Sequence, residues 1–285
     1  MEGPPPLRQN DPRLYRIERE TGSIPREKAQ TRGILGTLAA IGIVIVKFFA
    51  PLLKLLPFLK TGLSMLLMIV VYAQGGGWWW ALGFVLLLFV HECGHLIVAK
   101  YFGLNVSAPV FIPFIGAMIL LKEAPRNAWV EACIGIGGPI LGSIGALVCH
   151  VLGVQLDQPL LISLALIGYL LNLFNLIPIT PMDGGRIVTA LSPWLWLLGL
   201  ALMGALAFLR PNAFFFVLLI VILFQAIPRI RTLFRKRTDE EQRYFEVTPA
   251  QRLVIALSYF GLIAALVAGM HYAELDLQLR GLGVE

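Results

Sequence analysis

His91, Glu92 and His95 fall in the pentapeptide His91-Glu92-Cys93-Gly94-His95, inside an apolar run from Ala81 to Lys100. On an α-helix the two histidines lie about 40° apart in azimuth and roughly 6 Å apart in rise, so both imidazoles reach the same side. Glu92 projects from the adjacent strip. Two neutral imidazoles to hold a metal ion, with a carboxylate beside them free to take a proton from water, are what a zinc hydrolase needs. The competing reading is a pair of satisfied core histidines. It is the costlier one, because a glutamate and two histidines in mid-helix at membrane depth are expensive unless they pair or work. Cys93, about 200° around the helix from His91, points away and is a poor candidate ligand.

A catalytic zinc takes three protein ligands and keeps one position open. His150 and His271 are expected at the far ends of their helices, remote from His91. The better candidate lies in Asn172-Leu-Phe-Asn175-Leu-Ile-Pro178-Ile-Thr-Pro181-Met182-Asp183-Gly184-Gly185-Arg186. Pro178 and Pro181 end a helix there, because each removes a backbone donor and clashes with the preceding turn. Asp183 is expected to follow on non-helical backbone, with Gly184 and Gly185 free to turn it inward. On its own this stretch reads as a polar turn with an aspartate cap. Beside a two-histidine site that lacks a ligand that reading loses its favour, and Asp183 is the better candidate for the third position.

The elements that must position these residues are membrane spans. With 58% apolar and 14% charged residues in a chain of 285, the composition is that of a polytopic membrane protein. Seven spans are expected, at about 61–76, 78–101, 130–153, 159–177, 190–209, 212–228 and 252–271. The first two are joined by Gly75-Gly76-Gly77, and Trp78-Trp79-Trp80 reads as an interfacial aromatic belt. With the N-terminus in the cytoplasm, 21 of the 23 basic residues fall on the inner side, leaving only Arg210 and Arg280 outside. In that orientation His91 and His95 sit about 9–15 Å from the cytoplasmic end of their helix. Because the basic residues flank spans, the net charge of +6 reports orientation, and no nucleic-acid partner is expected.

Around this core, residues 1–33 read as a disordered basic cytoplasmic arm with no signal-peptide character. Residues 34–60, interrupted by Lys47, Pro51, Lys54 and Pro57, read as an interfacial or re-entrant helix. A membrane domain over 61–228, with its core at 78–190, is followed by a basic cytoplasmic loop at 229–251. The last span and an external tail fill 252–285. Val106 to Lys122 is β-branched and broken by Pro109, Pro113 and Gly116, as in a short hairpin. Such a hairpin is either a structural lid or an edge that pairs with an extended peptide, and the two are compatible. Gly138, Gly142 and Ala146 stack along one helix face and let a neighbour approach closely. The three cysteines, Cys93, Cys133 and Cys149, lack the number and spacing of a disulfide framework or a zinc cluster.

Taken together, the His91-to-His95 motif in a span, the hairpin, Gly138-Pro139, and Asn175-x-x-Pro178-x-x-Pro181-x-Asp183-Gly184 resemble the site-2 protease family of intramembrane zinc metalloproteases. The resemblance covers about residues 78–190. It implies an all-α polytopic membrane protein with about seven transmembrane helices and a short membrane-associated β-hairpin after the catalytic helix. It also implies one zinc per chain held by His91, His95 and Asp183, with Glu92 as catalytic acid/base and Asn175 positioning substrate. The expected partners are the lipid bilayer and transmembrane protein substrates, cut by regulated intramembrane proteolysis. Two positions depart from the family pattern: Met182 replaces the leucine common before Asp-Gly, and Gly142 replaces an asparagine. Two other readings are weaker. An inactive scaffold would not need an intact Glu92, and an ion transporter would carry paired charges in several spans.

Overall fold

The computed structural model describes residues 47, 59–209, 216–225 and 238–281. The chain divides into two compact units, Met1–Leu56 and Pro57–Glu285. In the first unit only Lys47, helical and exposed, is described, so the arm at 1–33 and nearly all of the 34–60 segment lie outside the described residues. Leu59 and Lys60, expected in that segment, instead begin the first membrane helix.

The second unit is helical. Its elements run α1 (Leu59–Gly76), α2 (Trp78–Tyr101), β1 (Val110–Ile112), β2 (Gly116–Met118), α3 (Ala128–Gln155), α4 (Pro159–Asn175), α5 (Asp183–Leu191), α6 (Leu195–Leu209), α7 (Phe216–Gln225), α8 (Asp239–Tyr244) and α9 (Pro249–Leu279). Their ends follow local chemistry. Gly77, at φ 79°, breaks α1 from α2 in a conformation that costs glycine little. The Asn127 side chain accepts the Val130 N–H to start α3, and Thr248 caps α9 with Pro249 at its first position. The expected span at 190–209 divides: Leu191 ends α5, and Pro193 lies in the break before α6.

Four described helices, α1, α2, α3 and α9, are long and apolar enough to cross a membrane, with 18, 24, 28 and 31 residues. They make the chain an integral membrane protein. At the three other expected positions stand the shorter apolar helices α4, α6 and α7. The 17 residues of α4 rise about 26 Å, a little under the ~30 Å hydrocarbon thickness. Seven full crossings therefore do not follow from helix length alone.

α2, α3 and α4 pack in sequence, and α9 lies against α3, α4 and α5. α3, α4, α5 and α9 share a core that includes Ala132, Ile136, Ala165, Ile187 and Leu266. α2 and α3 meet backbone to backbone: a Cβ on Gly94 would fall 2.2 Å from the Gly137 carbonyl oxygen, and one on Gly137 would fall 2.8 Å from that of Gly94. No side chain fits between them. The expected hairpin is present, with Val110 opposite Met118 and Ile112 opposite Gly116. Phe111 of β1 is buried with Met68, Val85 and Leu88. α1 also holds the hairpin by its backbone: Thr61 donates to the Pro109 carbonyl, while the Phe111 and Phe114 amides donate to Ser64 Oγ and Tyr72 Oη.

The α2–α3 contact gives a direct test. Gly94→Ala should destabilise the purified protein by about 1–3 kcal/mol, because the backbones must separate to admit the methyl group. Gly261→Ala, whose Cβ meets nothing within 4 Å, should be neutral or slightly stabilising. Thermal unfolding in detergent distinguishes the two; equal behaviour would contradict the close crossing.

Candidate metal centre

His91, Glu92 and His95 lie on α2 and are 3%, 5% and 3% exposed. The glycines of α3 make room for them. A Cβ on Gly138 would sit 2.2 Å from His95 Nε2, so the imidazole occupies the space a side chain would need. The stripe of small residues on α3 thus seats side chains, while the backbone approach occurs one residue earlier, at Gly137.

Asp183 arrives from the other direction. Contrary to the expectation of non-helical backbone, it is the first residue of α5. A helix start suits a carboxylate, since the free N–H groups and the helix dipole favour negative charge there. The two glycines that follow serve packing and not flexibility. A Cβ on Gly184 would fall 2.2 Å from the Leu176 carbonyl oxygen, and one on Gly185 would fall 2.4 Å from Ile179 carbonyl carbon. α5 can therefore begin directly against the chain leaving α4.

Three atoms converge as a result. His91 Nε2 and His95 Nε2 are 3.1 Å apart, and each is 3.1 Å from Asp183 Oδ2. The other ring nitrogens fix the tautomers. His95 Nδ1 donates to the Ile134 carbonyl at 2.7 Å, and that oxygen can only accept. His91 Nδ1 faces Asn172 Oδ1 at 2.8 Å, and the amide is oriented because its Nδ2 donates to the Gly168 carbonyl at 2.7 Å. Both neutral imidazoles then turn an Nε2 lone pair toward a carboxylate oxygen. Three lone pairs meeting at 3.1 Å repel unless a metal ion or a shared proton sits among them. Two imidazolium rings would instead place like charges in contact.

A zinc ion fits this donor set. Tetrahedral ligands with bonds of 2.0–2.1 Å are separated by about 3.3 Å, close to the spacing found, and one face stays open. His91, Glu92 and His95 also form a group whose potential ligand atoms lie within 4.8 Å of one another. The tighter triangle uses Asp183 in place of Glu92, which leaves the glutamate beside the centre and not in it. Arg186, one turn into α5, has Nη1 3.9 Å from Asp183 Oδ1, the oxygen turned away from the histidines.

Other candidates lie elsewhere. His150 pairs with Asp276 of α9 at 2.9 Å and His271 is exposed, so neither joins the cluster. Cys93, Cys133 and Cys149 are free and half-buried. Asn175 is the half-buried last residue of α4, and the asparagine that touches His91 is Asn172. Sequence reasoning passes over Asn172. A signal exists: an uncharged amide in the last turn of an apolar helix, together with a glycine-for-asparagine departure at position 142.

Residues 79–159 match peptidase family M50. The resemblance to the site-2 proteases holds. The M50 segment carries His91, Glu92 and His95 and ends before Asp183. The chain is 38% identical over 115 residues to "Zinc metalloprotease MJ0392" of Methanocaldococcus jannaschii, covering 37% of this chain and 33% of that protein. It is 36% identical over 117 residues to "Putative zinc metalloprotease Rip3" of Mycobacterium tuberculosis, covering 38% and 29%. A longer match, 25% identical over 294 residues, covers 85% of this chain and 52% of "Probable zinc metalloprotease EGY2, chloroplastic" of Oryza sativa. The matches thus span about a third to a half of these relatives. An M50 segment among zinc metalloprotease relatives agrees with the donor chemistry of the His-Glu-His group.

Proposed function

We infer that the protein is a zinc-dependent intramembrane endopeptidase that hydrolyses peptide bonds in transmembrane segments of other membrane proteins. The convergence of His91 Nε2, His95 Nε2 and Asp183 Oδ2 inside an apolar helical bundle carries this reading. These three residues hold the metal. Bound there, zinc supplies Lewis acidity that lowers the pKa of water toward ~7 and polarises the scissile carbonyl.

Glu92 performs the proton transfer. Its carboxylate takes one proton from the attacking water as the oxygen forms its bond to the carbonyl carbon. It then delivers that proton to the amide nitrogen as the C–N bond breaks, so charge and protons balance. Asn175, at the end of α4, orients substrate in this reading. A transmembrane substrate must unwind locally, because a helical peptide bond is shielded by its own turn, and the hairpin offers an edge to receive it. The Phe111 amide of β1 donates to α1, so in this reading the extended segment pairs with β2.

The proposal includes seven crossings with a cytoplasmic N-terminus, supported by the 21 basic residues gathered on one side. Reporters fused at the N-terminus or near residue 240 should then be cytoplasmic, and one near residue 280 external. An external N-terminus would overturn the orientation.

Purified protein should contain close to one zinc per chain, and His91→Ala, His95→Ala or Asp183→Ala should each sharply reduce it. Full retention in Asp183→Ala would place the third ligand elsewhere.

Glu92→Gln keeps side-chain shape but cannot hold a proton at neutral pH, so zinc and folding should survive. Cleavage of a membrane-embedded substrate should fall by at least ~10²–10⁴-fold. Wild-type cleavage by this variant would refute the mechanism.

A further inference from the structure

The geometry points to Asn172 as the positioning residue for His91: it holds the ring in the Nδ1–H tautomer so that the Nε2 lone pair faces the metal. This inference rests on the proposed metal site and goes beyond it, since Asn172 itself touches neither metal nor substrate.

Asn172 is 2% exposed on α4, and each end of its amide has a defined partner. Nδ2 donates to the Gly168 carbonyl one turn earlier, at 2.7 Å. An amide oriented this way can present only its oxygen to His91 Nδ1, at 2.8 Å. An acceptor there requires a proton on Nδ1. The neutral ring has one N–H, so Nε2 is left bare. Such contacts fix ring orientation and raise ligand basicity, and losing one typically weakens metal affinity ~10–100-fold.

A second observation shows that space is reserved for this amide. A Cβ on Gly142 of α3 would fall 2.4 Å from Asn172 Oδ1 and 2.9 Å from Nδ2. Gly142 is therefore the floor on which the amide rests, and any larger residue there would displace it. The two histidines are supported differently: His95 by a backbone carbonyl of α3, His91 by a side chain of α4. The site consequently draws one support from each of the two helices packed beside the catalytic one.

The test is zinc affinity of the full-length protein in detergent, measured by competition with a chromophoric chelator. Asn172→Leu keeps the bulk and removes both hydrogen bonds; it should bind zinc at least ~10-fold more weakly. Asn172→Asp keeps an acceptor for His91 and loses the donor to Gly168; it should remain within about threefold of wild type, since a carboxylate serves this role equally well. Gly142→Ala leaves Asn172 in the sequence but pushes its amide, and it should weaken zinc binding severalfold. This variant carries the test if Asn172→Leu does not fold. Wild-type affinity in Asn172→Leu or, failing that variant, in Gly142→Ala, would overturn the inference. Equal weakening in Asn172→Leu and Asn172→Asp would also overturn it, by assigning Asn172 to helix packing. A wild-type protein that binds no zinc would instead refute the metal site.

Discussion

Three lone pairs meeting at 3.1 Å in an apolar interior is the constraint on which the rest of this structure depends. With neither a metal ion nor a shared proton the arrangement is repulsive, and with a metal it is a ready ligand set. Building it at membrane depth demands short distances between three separate elements. α2 brings two imidazoles, α5 brings a carboxylate at a helix start, and α3 and α4 orient the rings. Each approach is made at a glycine: Gly94 against Gly137, Gly138 under His95, Gly142 under Asn172, Gly184 and Gly185 against the chain leaving α4. Glycine costs helix stability in an interior position, by roughly 0.5–1 kcal/mol relative to alanine. In this bundle that cost is offset by backbone contacts that larger residues would forbid.

Glu92 gains its proposed role from the same geometry. It is buried beside the histidines, yet Asp183 completes the tighter triangle, which leaves the glutamate free to move a proton. In the proposed mechanism, removing the ligand oxygen at Asp183 and removing the proton carrier at Glu92 are separable changes.

Much of the site is legible in the amino-acid sequence. His91, Glu92 and His95 stand out by their spacing, and Asp183 by its place after two helix-ending prolines on the matching side of the membrane. The hairpin follows from β-branched residues interrupted by Pro113 and Gly116. Less legible is what depends on contacts between helices. Periodicity cannot say that Asn172 faces His91, because that requires knowing how α4 is rotated against α2. Nor can it say that Asp183 opens a helix, since a glycine pair looks like a turn until the backbone packed against it is seen. The expected span at 190–209 runs through Pro193 because the apolar residues on both sides share one hydropathy window.

In the proposed site His91, His95 and Asp183 together hold zinc. Zinc K-edge X-ray absorption on the purified full-length protein examines that shell directly. Only nitrogen and oxygen neighbours at ~2.0–2.1 Å are expected, with outer-shell scattering from two imidazoles. A sulfur neighbour at ~2.3 Å, or scattering from a single imidazole, would contradict it.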